Sequence, residues 1–172
     1  MMPPRKGENY ASGIIFFLTC VLLAASISIV PGCGRKSDTP EQQVRRFVAQ
    51  VEEAAEQRDT SAIKKLIADG YSDDRKQIKQ DLVRVAAGYF LRNKNVHVFT
   101  YIGGIQFPDP NKAELQVYAA MSGLPIPGAE SLLDIRADLY RFDMTLARSD
   151  KKWLLVRSAW RPAEIEDFFP AD

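Results

Sequence analysis

The sequence predicts an α+β domain in which three N-terminal helices pack on a strongly curved antiparallel sheet of about four long strands. Two observations carry this. Apolar residues recur at helical spacing in three stretches between Thr39 and Arg92, and from Val96 to Arg161 the spacing changes to two, with turn signals at Asp109-Pro110-Asn111 and Ser149-Asp150. Composition sets the scale: 172 residues with 46% hydrophobic side chains fit one ordinary domain plus a short appendage and exclude a disordered or collagen-like chain.

The appendage comes first. Between Glu8 and Arg35 there is no charged side chain, and Gly13 to Val30 is an apolar stretch behind the basic pair Arg5 and Lys6, the pattern of an export signal over residues 1–32. Val30-Pro31-Gly32-Cys33 resembles the bacterial lipobox, in which an aliphatic residue stands three before a Cys and a small residue directly precedes it. The resemblance implies a cleaved precursor whose first mature residue, Cys33, carries the lipid and incorporates palmitate. An uncleaved anchor is the alternative, because a helix from Gly13 to Val30 would rise roughly 27 Å, close to a ~30 Å hydrocarbon core.

Either way Arg5 and Lys6 stay inside and the domain faces the non-cytoplasmic, periplasmic side of a bacterial envelope. Gly34 stands where an Asp would retain a lipoprotein in the inner membrane, so the outer membrane is the expected destination. Residues 33–38 then form the lipidated Cys and its tether, and residues 39–172 form the domain.

Beyond Cys33 the chain carries 23 − 2 = 21 basic and 22 − 1 = 21 acidic side chains. A neutral body without a basic run releases few counterions from a phosphate backbone, so nucleic acid is not expected as a partner. Cys20 and Cys33 are the chain's two cysteines, which leaves the domain without a disulfide or a Cys/His zinc cluster. No metal and no cofactor are expected.

Within the domain, Thr39-Pro40-Glu41-Gln42 reads as a capping box with Pro at the first helical position, opening a helix to about Arg58 whose inward face is Val44, Phe47, Val48, Val51 and Ala54. Asp59-Thr60 caps a shorter helix facing inward with Ile63, Leu66 and Ile67, and Gly70 is expected to end it in a left-handed conformation. From Asp73 a third helix is expected to bury Ile78, Leu82, Val85 and Tyr89, with Asp73 and Asp74 at its positive end and Arg92 at its negative end.

Val96, Val98, Thr100 and Ile102 alternate with His97, Phe99 and Tyr101, and Ala113 to Met121 completes a hairpin. Ser122 to Ser131 reads as a loop able to cover the mouth of the sheet or to contact a partner. A second hairpin joins Leu132–Arg148 to Lys152–Arg161. In its first strand the apolar parity switches from Ile135, Ala137 and Leu139 to Tyr140, Phe142, Met144 and Leu146, which predicts a bulge near Leu139 to Arg141. Pro162 to Phe169 reads as a short helix.

Three helices followed by long bent strands, closing in Asp150-Lys151-Lys152-Trp153-Leu154-Leu155-Val156-Arg157-Ser158-Ala159-Trp160-Arg161, resemble the NTF2-like (cystatin-like cone) superfamily. Gly70 to Asp74 leaves no room for the short hairpin that many members place between their second and third helices, so a reduced cone is expected. The superfamily holds isomerases, dehydratases, polyketide cyclases and members that only bind or assemble. The resemblance therefore implies a fold and not an activity.

Two readings of function remain, a binding or assembly domain and an enzyme. The leading expectation is a non-enzymatic, membrane-tethered domain that binds a small molecule or an envelope protein, or assembles, including as a homodimer through the open sheet face, as superfamily members do. Ligand-binding residues would then be Arg136, Asp138 and Tyr140 on one strand with Arg157 and Trp160 on its neighbour. The alternative is a small isomerase- or dehydratase-type enzyme with His97 as general base, aided by Tyr101 and Asp138. Convergence of His97, Tyr101, Asp138 and Arg157 on one enclosed pocket would favour the enzyme. No phosphate-binding Gly loop or nucleophile elbow is present in the sequence.

Overall fold

A computed structural model describes residues 38–169. The expected export signal, Cys33 and the tether through Ser37 lie outside the described residues. Among the described residues no helix is long and apolar enough to cross a membrane.

Three helices, α1 (Pro40–Glu56), α2 (Thr60–Leu66) and α3 (Lys79–Arg92), precede β1 (His97–Asp109), β2 (Lys112–Ser122), β3 (Asp138–Ser149) and β4 (Lys152–Pro162). The strands form one antiparallel sheet in the order β1-β2-β3-β4. Short 3-10 helices at Ala129–Leu133 and Ile165–Phe168 complete the chain.

The capping box forms as its residues require: Thr39 Oγ1 accepts from the Gln42 N–H at 3.2 Å and Gln42 Oε1 accepts from the Thr39 N–H at 2.9 Å. Asp59 accepts from the N–H groups of Ser61 and Ala62. Arg58, in the left-handed region at φ 55°, reverses the chain between the two helices and donates to the carbonyls of Phe90 and Lys94 at the end of α3.

The segment after α2 departs from expectation. Gly70 is not left-handed; α2 ends at Leu66, and Ile67 turns extended to bridge Leu155, while Ala68 and Ser72 donate to the carbonyls of Leu155 and Val156. The chain thus lies along the edge strand β4 and satisfies its free carbonyls, which outweighs continuation of a short helix. The third helix starts at Lys79 and not at Asp73. Asp73 is buried, and its Oδ1 accepts from the N–H groups of Arg75 and Gln77, closing a tight turn. A single Ser72–Ile78 antiparallel bridge is all that stands in place of a hairpin between the second and third helices.

The inward face of α3 also differs from the expected one. Ile78 and Val85, expected inside, are half exposed at 51% and 50%, whereas Phe90 is buried and Leu82, Val83, Ala86 and Tyr89 are half-buried.

The sheet has a core on each side. On the helix side Val44, Phe47, Val48, Ile67 and Tyr71 pack on Leu115, Val117, Leu146, Trp153 and Leu155. On the reverse side Phe168 and Leu132 pack on Tyr118 and Ala120, with Phe99, Tyr101 and Ile126 around them. The Ser122–Ser131 loop therefore folds toward the back of the sheet and not over its mouth. This double cover leaves Val117, Tyr118, Ala119 and Ala120 all buried in a strand where alternation was expected.

The expected bulge at Leu139–Arg141 is absent, since β2 and β3 stay in register from Lys112–Ala147 to Met121–Asp138. The parity conflict arose because Ile135 and Ala137 precede β3, which begins only at Asp138, and Leu139 packs into the reverse-side core. The sheet bends elsewhere: Val156 is the extra residue opposite Thr145 and Leu146, and Gly103 is the extra residue opposite Val117 and Gln116. A Cβ at Gly103 would stand 2.9 Å from Gln116 Oε1 and 3.1 Å from the Tyr118 ring, so a side chain there would have to displace the Gln116 amide and press on the Tyr118 ring.

Candidate functional site

Register decides which side chains share a face. Asp138 pairs with Met121, Tyr140 with Ala119, and Phe142 with both Val117 and Trp160, so all four side chains belong to the helix side of the sheet. They lie at the end of β3 away from its turn, where α3 brings Tyr89 and the turn after Asp73 brings Arg75. This is the mouth of the curved sheet.

Its walls are aromatic. Tyr140 and Trp160 meet edge to face with ring centroids 5.6 Å apart, Phe142 lies 6.2 Å from Tyr140, and the Arg75 guanidinium sits 4.4 Å above the Trp160 ring. Asp138 is exposed while Tyr89, Tyr140 and Trp160 are half-buried. Burial, and then the neighbouring Asp138 carboxylate and Tyr140, push the Tyr89 hydroxyl above the ordinary tyrosine range. Tyr89 consequently stays protonated at neutral pH and can donate.

Beneath the mouth, Tyr71 and Ser158 share a buried hydrogen bond of 2.7 Å. Burial also raises the Tyr71 hydroxyl, with Asp73 and Asp74 adding to the effect against the lowering contribution of Ser158. This pair ties the segment after α2 to β4 and holds Arg75 near Trp160.

Of the ligand-binding residues expected from sequence, Asp138, Tyr140 and Trp160 come together here. Arg136 precedes β3, is exposed, and offers its carbonyl to Ser122 Oγ at 3.1 Å. Arg157 shares a face with Thr145 and Glu114 on the reverse side and pairs with Asp74. Tyr89, Arg75, Tyr71 and Ser158 were not anticipated. The signal available for Tyr89 was its place on α3, but nothing local marks Arg75, because a contact with Trp160 depends on the 67–78 segment following the edge of β4.

His97 and Tyr101 lie on the reverse side: Phe99, between them in parity, packs 6.4 Å from Phe168, and Tyr101 stacks on Tyr118 at 6.1 Å. His97 Nδ1 is 4.0 Å from Glu56 Oε1 at the edge of β1, where Glu56 also accepts from the Val98 N–H. The four groups of the enzyme reading therefore do not converge. Among the described residues no group of three His, Cys, Asp or Glu side chains is arranged to hold a metal.

Two grooves lie away from the mouth. One, of about 550 Å³, runs between α1, α2 and the β3–β4 turn. The other, of about 490 Å³, is an open polar stretch of the reverse face lined by Gly104, Gln116, Asp143 and Arg157.

No family model and no curated protein matches the chain. Solved structures do. A candidate scytalone dehydratase from Novosphingobium aromaticivorans superposes with a TM-score of 0.57 at 11% identity over 72% of this chain and 84% of its own. A candidate dehydratase of the NTF2-like family from Streptomyces avermitilis gives 0.57 at 15% identity over 72% and 97%. Bd1075 from Bdellovibrio bacteriovorus gives 0.54 at 13% identity over 72% of this chain, which spans only 40% of the Bd1075 chain. At these identities the likeness concerns the fold: three helices on a curved four-stranded antiparallel sheet, the NTF2-like cone.

Proposed function

We propose that the protein is a membrane-tethered lipoprotein of the bacterial envelope whose domain binds a small molecule at the mouth of the cone without transforming it. Lipid on Cys33 attaches it, the domain faces the periplasmic side, and the outer membrane is its default location. The ligand presents an apolar or planar face to Tyr140 and Trp160 and a hydrogen-bond donor to Asp138, while the protonated Tyr89 donates to an acceptor.

The observation that carries this reading is the division of titratable groups between the two faces of the sheet. Asp138 stands with Tyr89 and Tyr140, and His97, of the opposite strand parity, stands at the β1 edge beside Glu56 at the end of α1. A mouth with one exposed carboxylate and two tyrosines recognises polar groups, and His97, the base of the enzyme expected from sequence, is not among them.

A second reading draws on the similarity to candidate dehydratases. In that case Asp138 would take the proton and Tyr89 would polarise a carbonyl.

Native mass spectrometry of the detergent-extracted protein tests the first reading. It should show an acylated chain beginning at Cys33 and a small-molecule adduct that Asp138→Asn loses. A chain retaining residues 1–32, or an adduct indifferent to Asp138→Asn, would contradict it. The same spectrum reports whether the chain dimerises.

A further inference from the structure

The turn that closes the 67–78 segment brings a guanidinium to the mouth without an anion beside it. Asp73 Oδ1 accepts from the Arg75 N–H at 2.8 Å and from the Gln77 N–H at 2.7 Å, and the Asp73 N–H donates to the Gln77 carbonyl at 3.2 Å. Lys76 takes a left-handed φ of 61°, which a residue with a Cβ disfavours, so these hydrogen bonds and not local preference hold the turn. Both neighbouring carboxylates are engaged: Asp73 is buried and accepts from the backbone, and Asp74 pairs with Arg157. Arg75 has no ion-pair partner among the described residues, and its guanidinium lies 4.4 Å above the Trp160 ring. A guanidinium stacked on a ring has its plane fixed and keeps its in-plane N–H donors for an anion.

A carboxylate stands at the other end of the same aromatic wall. Asp138 is exposed and likewise has no ion-pair partner among the described residues; Arg92, the cation of α3 nearest Tyr89, does not pair with it. Asp138 precedes Tyr140 by two residues on one face of β3, roughly 7 Å along the strand. From Tyr140 the wall continues 5.6 Å to Trp160 and a further 4.4 Å to Arg75. Half-buried rings therefore separate two opposite charges, neither of which is neutralised within the domain.

We infer that the ligand of the mouth is an elongated zwitterion, a flat apolar body with an ammonium at one end and a carboxylate at the other; this rests on the reading of the mouth as a ligand site. The ammonium donates to Asp138, the body lies against Tyr140 and Trp160, and the carboxylate accepts from Arg75. A ligand with an anionic end alone would leave Asp138 unneutralised. One with a cationic end alone would leave Arg75 in that state, and a neutral ligand would leave both.

The test is a saturation-transfer NMR titration of the detergent-solubilised full-length chain. The probes are para-(aminomethyl)benzoate and its longer biphenyl homologue, each compared with the same ring lacking the amine or lacking the carboxylate. At least one zwitterion should bind saturably and about tenfold or more tighter than either singly charged analogue, because it makes a second charge-assisted hydrogen bond. Arg75→Gln should remove its advantage over the amine analogue, and Asp138→Asn its advantage over the carboxylate analogue. Both side chains are exposed, so the melting temperature should change little.

An amine analogue that binds as tightly as its zwitterion, weakened by Asp138→Asn and indifferent to Arg75→Gln, overturns the zwitterion and leaves the mouth a ligand site. Zwitterion binding that is equal in both variants also overturns the inference, since the probe then sits elsewhere. If no probe binds, the inference falls. It falls alone where native mass spectrometry still shows the Asp138-dependent adduct, and together with the reading of the mouth where that adduct is missing.

Discussion

His97 and Asp138 occupy opposite faces of one sheet: His97 pairs with Ser122 on the side of Phe99 and Tyr101, and Asp138 pairs with Met121 on the side of Val98. Two residues that sequence patterning could combine in one catalytic site are thereby separated by the thickness of the sheet. Side chains alternate with a period of two, so no rotamer change brings them together.

Tyr71→Phe should destabilise the domain by about 1–3 kcal/mol, because it leaves the buried Ser158 Oγ without its 2.7 Å partner. Tyr71→Phe with Ser158→Ala removes both groups and should recover much of the loss. Denaturant melts of the four proteins measure the coupling, and strict additivity would show that the pair does not hold the 67–78 segment.

Trp153→Ala should cost about 3–5 kcal/mol, since the indole is 5% exposed within the helix-side core and packs 6.2 Å from Phe107. Against a typical stability of about 5–15 kcal/mol, soluble yield should fall visibly. A loss under about 1 kcal/mol would place Trp153 outside the core.

Lys151→Gly should stabilise the fold by up to about 1 kcal/mol, because the left-handed φ of 66° strains a residue with a Cβ and not glycine. The thermal midpoint checks this. A decrease would mean that the lysine side chain holds the turn through contacts of its own.

Much of this fold was legible in the sequence. Thr39 with Gln42, Asp59, the two hairpins and the Trp153 strand all announce themselves through local chemistry, and the structure places them accordingly. The segment from Ile67 to Ile78 does not, because its conformation is set by the carbonyls of Leu155 and Val156, almost ninety residues away. The same non-local contact explains why Arg75 at the mouth was invisible while Asp138, Tyr140 and Trp160, regularly spaced on strands, could be named. Their grouping with Arg136 and Arg157 failed because β3 starts later than its apolar pattern suggests and β4 bulges at Val156.

Alkaline pH offers a further check. The hydroxyls of Tyr71 and Tyr89 are both raised, by burial first. In the window between the ordinary tyrosine value and the raised one, the unfolded chain has lost protons that the folded chain keeps, so stability should fall as pH rises above about 10. Tyr89→Phe should flatten part of that fall in pH-dependent melts, while an unchanged slope would mean that Tyr89 ionises freely in the folded protein.

The most direct test of the binding account is complementation of a deletion by lipidated, folded variants with single changes on each face of the sheet. The account predicts that His97→Gln restores the deletion phenotype fully, because that imidazole lies away from the mouth, and that Asp138→Asn fails to restore it. A His97→Gln protein that fails while Asp138→Asn succeeds would contradict the account and put a His97-dependent enzyme in its place.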